Sequence, residues 1–286
     1  MNNPAGNAQR QGVQKPYEHL YIYYLEGVLG PIARPGPDYL GTWEEEGHSF
    51  VFFSRAADQS MADLLRSHPR ASLIDQYEMS YAQWQGTQPA AMTLGSFQIT
   101  PPWLVSGSHP DQGPAPHKLI LDPGVVFGSG THPTTRNCLE GLEAAFAEAV
   151  PGTVLDLGTG TGVLALAAAR LGCPRVLAVD INYLAVQTTL TNIRLNNLGR
   201  QVLAVQGSAG NWHHGNVELL VANIHYDIME RIISTTDFAA PKRFILSGLM
   251  RSEAREVQRV LLQRGARIFR QWTQDDIWQT FYGKIG

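Results

Sequence analysis

The sequence predicts an α/β protein: a doubly wound, mostly parallel seven-stranded sheet, preceded by a smaller N-terminal α+β domain. Three observations carry this. After Lys118, short apolar runs alternate with amphipathic helical segments, the pattern of a parallel sheet covered on both faces. Between Thr153 and Asp180, a strand, a glycine-rich turn, a helix and a second strand form one β-α-β unit. Before residue 85 the pattern differs, with several strands grouped around one short helix.

Residues 1–16 are polar and rich in Asn, Gln and Gly, and are expected to be disordered. A small α+β domain follows over 17–84. Its strands are Leu20 to Leu25, Tyr39 to Trp43, Ser49 to Phe53 and Ala71 to Tyr77, with a helix from Gln59 to Arg66 closed by His68-Pro69. Glu44-Glu45-Glu46 reads as a solvated hairpin tip. Residues 85–117 are rich in Gly, Pro and Ser and read as a connector packed against both halves. The large domain spans 118–286. Its strands are Thr153–Leu157, Val176–Val179, Val202–Val205, Leu219–Ala222 and Phe244–Ser247, with helices Gly162–Arg170, Leu184–Asn196, Tyr226–Thr235 and Ser252–Arg264 between them. Ala266–Gln271 and Trp278–Lys284 are expected to form an antiparallel hairpin at the sheet edge.

Composition narrows the function classes. The 286 residues carry a net charge of −3, which leaves no basic footprint for direct nucleic-acid binding. No apolar run reaches the roughly 18–20 residues that a membrane span requires. Cys138 and Cys173 form no C-x-x-C pair and read as buried thiols of a cytoplasmic protein. His213-His214 has no Cys, Asp or Glu at ligand spacing, so no metal site is expected. Ser106, Ser129 and Ser247 sit in no G-x-S-x-G elbow, which argues against an α/β-hydrolase.

Chemistry concentrates first at the glycine turn, D-L-G-T-G-T-G from Asp156 to Gly162. Such a turn at a strand tip, with Asp180 closing the next strand, holds an adenosine-containing ligand. A nicotinamide dinucleotide is one candidate, because Gly160 opens a G-x-G-x-x-A run. Asp156 shifts the balance. A carboxylate before the turn repels a pyrophosphate but attracts the ammonium of S-adenosylmethionine. Asp180 suits the ribose hydroxyls of either cofactor, and Gly158 and Gly160 let a ligand approach the backbone closely.

A second constellation precedes it, L-D-P-G-V-V-F-G-S-G-T-H-P-T-T from Leu121 to Thr135. Phe127 to Gly130 offers backbone amides, and Thr131, Thr134 and Thr135 offer hydroxyls. Pro133 fixes the start of a helix near Thr134, with Thr131 or Thr134 as its cap. His132 reads as a structural hydrogen-bonding group or a base. The third constellation is Val221-Ala222-Asn223-Ile224-His225-Tyr226 at a strand end, where an Asn can orient an amine for attack. Asn-Ile-His-Tyr is similar to the Asn-Pro-Pro-Tyr of amino-directed DNA methyltransferases, without the prolines.

Together the three resemble the PrmA family, which methylates ribosomal protein L11 with S-adenosylmethionine; a eukaryotic relative methylates lysines of an electron-transfer flavoprotein subunit. The resemblance rests on Leu121–Thr135, Asp156–Gly162, Ala178–Asp180 and Val221–Ile224. It implies that Thr135, Gly158, Asp180 and Asn223 contact the cofactor. The family's Cys or Ser in the glycine turn is Thr159 or Thr161 here. The family's N-terminal domain is a β-α-β-β-α-β substrate-recognition unit. In this sequence its first helix is replaced by Gly30-Pro31-Ile32-Ala33-Arg34-Pro35-Gly36-Pro37, so the domain is reduced.

The expected reaction is direct methyl transfer to a lysine ε-amino or α-amino group of a protein, with L11 the first candidate. Asn223 would be the catalytic residue, and Phe127 would wall the pocket and face the sulfonium. Three rival readings predict other behaviour: a nicotinamide-dependent oxidoreductase, an inactive interaction protein of the same fold, and a nucleic-acid methyltransferase.

Overall fold

The computed structural model describes residues 17–86, 90–105, 117–209, 216–235, 238 and 241–286. The tail expected to be disordered, Ser106 and His213-His214 lie outside these residues.

Strands β1 (His19–Glu26), β2 (Tyr39–Glu45), β3 (His48–Phe53) and β4 (Ser72–Ser80) form an antiparallel sheet of order β2-β3-β1-β4. Alternation along the strands gives it two apolar faces. Tyr23, Leu25, Val51 and Phe53 pack on Met61 and Leu64 of helix α1 (Asp58–Ser67). Leu20, Ile22 and Phe52 face the other way, against Val125, Val126, Leu184 and Ala185 of the larger unit. No helix joins β1 to β2. Pro31, Pro35 and Pro37 remove backbone donors from that stretch, and Leu29 and Ile32 fill the α1-side core from a loop. The tip of the β2–β3 hairpin holds Glu46 and Gly47 at positive φ. Glu44 is less solvated than expected, since its carboxylate accepts the Gly30 N–H at 2.6 Å.

Helix α2 (Tyr81–Gln85) follows β4 directly, closed at its start by a Ser80–Gln83 capping box. Its five residues are too few for an apolar period to betray it. The stretch read as a connector contributes β5 (Met92–Leu94) and β6 (Phe97–Thr100). These make a three-stranded sheet with β7 (His117–Ile120), and β6 runs parallel to β7. That pairing crosses the expected boundary at 117/118.

Helix α3 (Pro133–Glu148) leads into the main sheet. Its strands are β8 (Val154–Leu157), β9 (Val176–Asp180), β10 (Val202–Gln206), β11 (Leu219–Asn223), β12 (Arg243–Met250), β13 (Arg267–Gln274) and β14 (Trp278–Lys284). The order is β10-β9-β8-β11-β12-β14-β13, with β14 alone antiparallel to its neighbours. The terminal hairpin therefore does more than cap the edge, because β14 inserts between β12 and β13. Helices α3, α4 (Val163–Arg170) and α5 (Tyr183–Leu195) pack one face with Val154, Ala178 and Val221. Helices α6 (Tyr226–Ser234) and α7 (Arg251–Gln263) cover the other with Leu155, Leu157 and Ala222. The order of strand addition reverses between the parallel neighbours β8 and β11, which opens a crevice at the carboxyl ends of those strands.

Candidate active site

The glycine turn after β8 is held by its neighbours on three sides. The N–H groups of Gly158 and Thr159 donate to the Val179 carbonyl at 2.8 and 3.0 Å, which fixes the turn beside Asp180. Thr161 donates its N–H to the Phe127 carbonyl at 3.1 Å and its hydroxyl to the Gly128 carbonyl at 2.6 Å. A Cβ on Gly160, at φ +56°, would collide with that Phe127 carbonyl, and one on Gly158, at φ +70°, would collide with Ile224. The three sequence constellations thus meet at one place: Phe127–Gly128 lies over the turn, and Ile224 lies against its start.

Two acids flank this point. Asp180 ends β9, with one carboxylate oxygen accepting the Gly160 N–H at 3.0 Å and the other the Asn182 N–H at 2.9 Å. Asp156 lies in β8 beneath the turn at 1 % exposure, where it accepts the Thr159 hydroxyl at 2.7 Å. Burial pushes the Asp156 carboxyl up to about 7, with the nearby Asp180 charge adding to the effect, and burial also raises Asp180. The two acids stand on neighbouring parallel strands, Asp156 opposite Ala178 and Asp180 two residues beyond it at the end of β9.

Three of the six buried side-chain polar atoms without partners among the described residues belong to Thr135, Asp156 and Asn182; the others are on Ser96, Asn137 and Gln201. Asp156 Oδ1 and Thr135 Oγ1 are enclosed and unpaired, and so is Nδ2 of Asn182, the N-cap of α5 two residues after Asp180. Orphaned buried groups are costly unless a ligand completes them.

Thr135 sits on the first turn of α3, but neither predicted threonine caps that helix. His132 does, accepting the Thr134 N–H at its Nδ1 while Pro133 takes the first helical position. The same nitrogen pairs with the Thr134 hydroxyl at 2.7 Å. Burial lowers the His132 pKa. With Nδ1 engaged by both the N–H and the hydroxyl of Thr134, this histidine serves as the cap of α3. Its ring packs edge-on against Phe127 on one side and Trp278 on the other, with centroids 5.3 and 4.9 Å away. Phe127 itself remains 53 % exposed, a wall of the crevice rather than a core residue.

Asn223 closes β11 beside Ser247 of β12 and is half-buried at the mouth. The Ile224 carbonyl and N–H lie against Gly248, where φ +86° and the absence of a side chain let β12 pass.

Sequence reasoning missed two supports. Asn192 of α5 donates to the carbonyls of Thr161 and Asp122 at 2.8 and 2.9 Å and accepts the Asp122 N–H at 2.8 Å. Asn196 makes the same paired contact with Ile120. Their i,i+4 spacing on a helix was the available signal. Trp278 was the other omission, since only the insertion of β14 brings it to the crevice.

The family model described as ribosomal protein L11 methyltransferase (PrmA) matches residues 56–285. The chain belongs to this family. The L11 methyltransferase of Halalkalibacterium halodurans is 30% identical over 249 residues, 86% of this chain and 76% of that protein. That of Anoxybacillus flavithermus is 31% identical over 269 residues, 92% and 81% of the two chains. Among solved structures, the L11 methylase of Lactobacillus delbrueckii subsp. bulgaricus aligns with a TM-score of 0.60 and 26% identity, over 68% of this chain and 98% of that one. As a PrmA-family member the chain is an S-adenosylmethionine-dependent protein methyltransferase, which sets aside the oxidoreductase and the inactive-fold readings. The match to the family model begins after β3, so the first three strands lie outside it. Among the described residues no helix is long and apolar enough to cross a membrane.

Proposed function

We propose that this enzyme methylates amino groups of ribosomal protein L11, at lysine ε-amino or α-amino positions. The observation that carries the reading is the convergence of the Phe127–Thr135 loop, the glycine turn and the Asn223 strand end on one crevice. The names of the relatives point to L11.

Bound S-adenosylmethionine supplies an electrophilic methyl group on a sulfonium. The chain's own residues divide the work of holding it. Asp180 accepts from ribose hydroxyls, and Asp156 accepts from the ammonium through its unpaired oxygen. Thr135 and the backbone at Gly158 and Gly160 surround the amino-acid end. Phe127 offers an aromatic face to the cationic centre. Asn223 accepts an N–H from the target amine, which turns the nitrogen lone pair toward the methyl group. Desolvation in the crevice beside Phe127 lowers the amine's pKa, so no dedicated base is required.

The test is incubation with labelled S-adenosylmethionine and purified L11, followed by mass spectrometry of the product. Methylated lysine or N-terminal residues on L11 support the reading. Label on another protein of a ribosomal mixture, with none on L11, overturns the target while keeping the chemistry.

A further inference from the structure

A cavity of about 1020 Å³ separates part of the N-terminal unit from the start of α5. The β2–β3 hairpin and the loop 28–34 wall it on one side, and Ile181, Asn182, Tyr183 and Gln206 wall it on the other. Close packing seats the hairpin there. A Cβ on Gly41 would collide with Leu184, which belongs to the apolar cluster shared by Ile22, Phe52 and Val126.

The cavity opens where Asp180 ends. Ile181, the next residue, is 68% exposed and forms part of its wall. Gln206 closes β10 opposite Asp180 and donates its amide to the Ile181 carbonyl at 3.1 Å. Strand order then assigns a direction, because β9 lies between β8 and β10. With the amino-acid end of S-adenosylmethionine at Asp156 of β8 and its ribose at Asp180 of β9, the base extends to the β10 side, where this cavity lies. Neighbouring strands are about 4.8 Å apart, so a ligand built of these three parts spans the three strand ends.

The walls suit adenine. Asn182 is 6% exposed; its Oδ1 accepts the Leu184 N–H at 3.1 Å, and its Nδ2 has no partner. That amide offers a donor to a ring nitrogen. Across the cavity stand Glu44, Glu45 and Glu46. Glu44 already accepts the Gly30 N–H, whereas Glu45 and Glu46 are exposed and can accept from an exocyclic amine. Among the described residues of the lining the one cation is Arg34, which is held by the Gly36 and Pro37 carbonyls. Three carboxylates repel phosphate, so the cavity favours a nucleoside without one.

We propose that the β2–β3 hairpin closes over the adenine of S-adenosylmethionine, which makes the N-terminal unit part of the cofactor site. This rests on the placement of the cofactor given above. Val28→Trp adds bulk to the cavity from the N-terminal side, at a position 59% exposed where the fold tolerates it. By calorimetry it weakens S-adenosylhomocysteine binding about tenfold or more, while the ligand-free melting temperature is unchanged. S-Inosylhomocysteine carries a carbonyl oxygen in place of the exocyclic amine and binds the unaltered chain at least about tenfold more weakly. In the Glu45→Gln, Glu46→Gln double variant this gap narrows, because an amide can donate to that oxygen. Hydrogen exchange of the 39–47 amides slows when S-adenosylhomocysteine is added to the unaltered chain. No S-adenosylhomocysteine binding by the unaltered chain overturns the cofactor placement and this inference with it. Binding that is equal in Val28→Trp, with no protection of the hairpin, overturns the hairpin's part alone. A gap between the two ligands that the double variant leaves intact, with the hairpin unprotected, assigns base recognition to the catalytic unit and overturns the inference as well.

Discussion

The backbone N–H of Thr161 donates to the carbonyl of Phe127 at 3.1 Å, so the loop before α3 and the turn after β8 form one rigid surface. Two distant stretches of sequence, both proposed to contact the cofactor, are thereby fixed relative to each other. Pre-organisation of this kind reduces the ordering cost of binding.

Gly160→Ala tests that surface. The residue sits at φ +56°, and a Cβ would meet the Phe127 carbonyl, which is backbone and cannot swing aside. The left-handed conformation alone costs a non-glycine residue about 1–2 kcal/mol. Thermal unfolding should show a clear loss of stability, and calorimetry a loss of S-adenosylhomocysteine binding by tenfold or more. A variant that melts and binds like the unaltered chain would show that the loop does not constrain the turn.

Asp180→Ala should weaken S-adenosylhomocysteine binding about a hundredfold. It removes the acceptor for two backbone N–H groups as well as for the proposed ribose contact, and charge-assisted hydrogen bonds contribute about 1.5–3 kcal/mol each. Asp180→Asn keeps one acceptor oxygen and should fall between the two. Unchanged affinity in the alanine variant would remove Asp180 from the cofactor site.

Asp156 predicts a pH dependence. Burial holds its carboxyl at about 7, against about 3.9 in an unfolded chain. A raised carboxyl stabilises the ligand-free fold fully below the unfolded value, and that contribution is lost as pH climbs through about 7. The bound ammonium has the opposite preference, for the ionised acid. S-adenosylhomocysteine affinity should therefore rise about tenfold per pH unit below 7 and level off above it. Asp156→Asn should flatten this profile and also the fall in ligand-free melting temperature between pH 4 and 8. A flat profile in the unaltered chain would detach Asp156 from the ammonium.

Much of this was legible in the sequence, and what escaped did so for physical reasons. The β8–α4–β9 unit could be read because a buried parallel strand needs continuous apolar residues and a glycine turn needs its positive φ. The order of strands after β12 could not, since the apolar pattern of Trp278–Lys284 is the same at an edge as inside a sheet. Trp278 stayed hidden for that reason. His132 capped α3 in place of a threonine because an imidazole nitrogen reaches the Thr134 N–H from a position that rules of preference reserve for small oxygens. The i,i+4 spacing of Asn192 and Asn196 marks a shared helix face, but nothing local names Asp122, seventy residues away, as the partner.

Asn192→Leu should be among the most destabilising single changes. The side chain is fully buried and satisfies the N–H and carbonyl of Asp122 and the carbonyl of Thr161. Leucine leaves these groups enclosed and unpaired, at about 1–3 kcal/mol each. Urea unfolding should show a loss of several kcal/mol, with cofactor binding lost as the Asp122–Phe127 loop comes free. A loss below about 1 kcal/mol would mean that water replaces the amide.

Asn223→Ala separates chemistry from binding. The residue ends β11 at the crevice mouth, whereas Asp180 ends β9 and the glycine turn follows β8. If Asn223 orients the amine, its loss leaves the nucleophile bound but misaligned, and misplacement by about 1 Å can cost a hundredfold in rate. The expected result is kcat down about a hundredfold with S-adenosylhomocysteine affinity within about threefold. Single-turnover methylation, with the enzyme in excess over labelled cofactor, reads the chemical step directly. A variant that loses cofactor affinity and keeps its single-turnover rate at saturation would place Asn223 in the cofactor site instead. Asn223→Asp refines the distinction. It keeps the acceptor oxygen and adds a charge that favours the unreactive ammonium, so its rate should recover as pH is raised, and the alanine variant's should not.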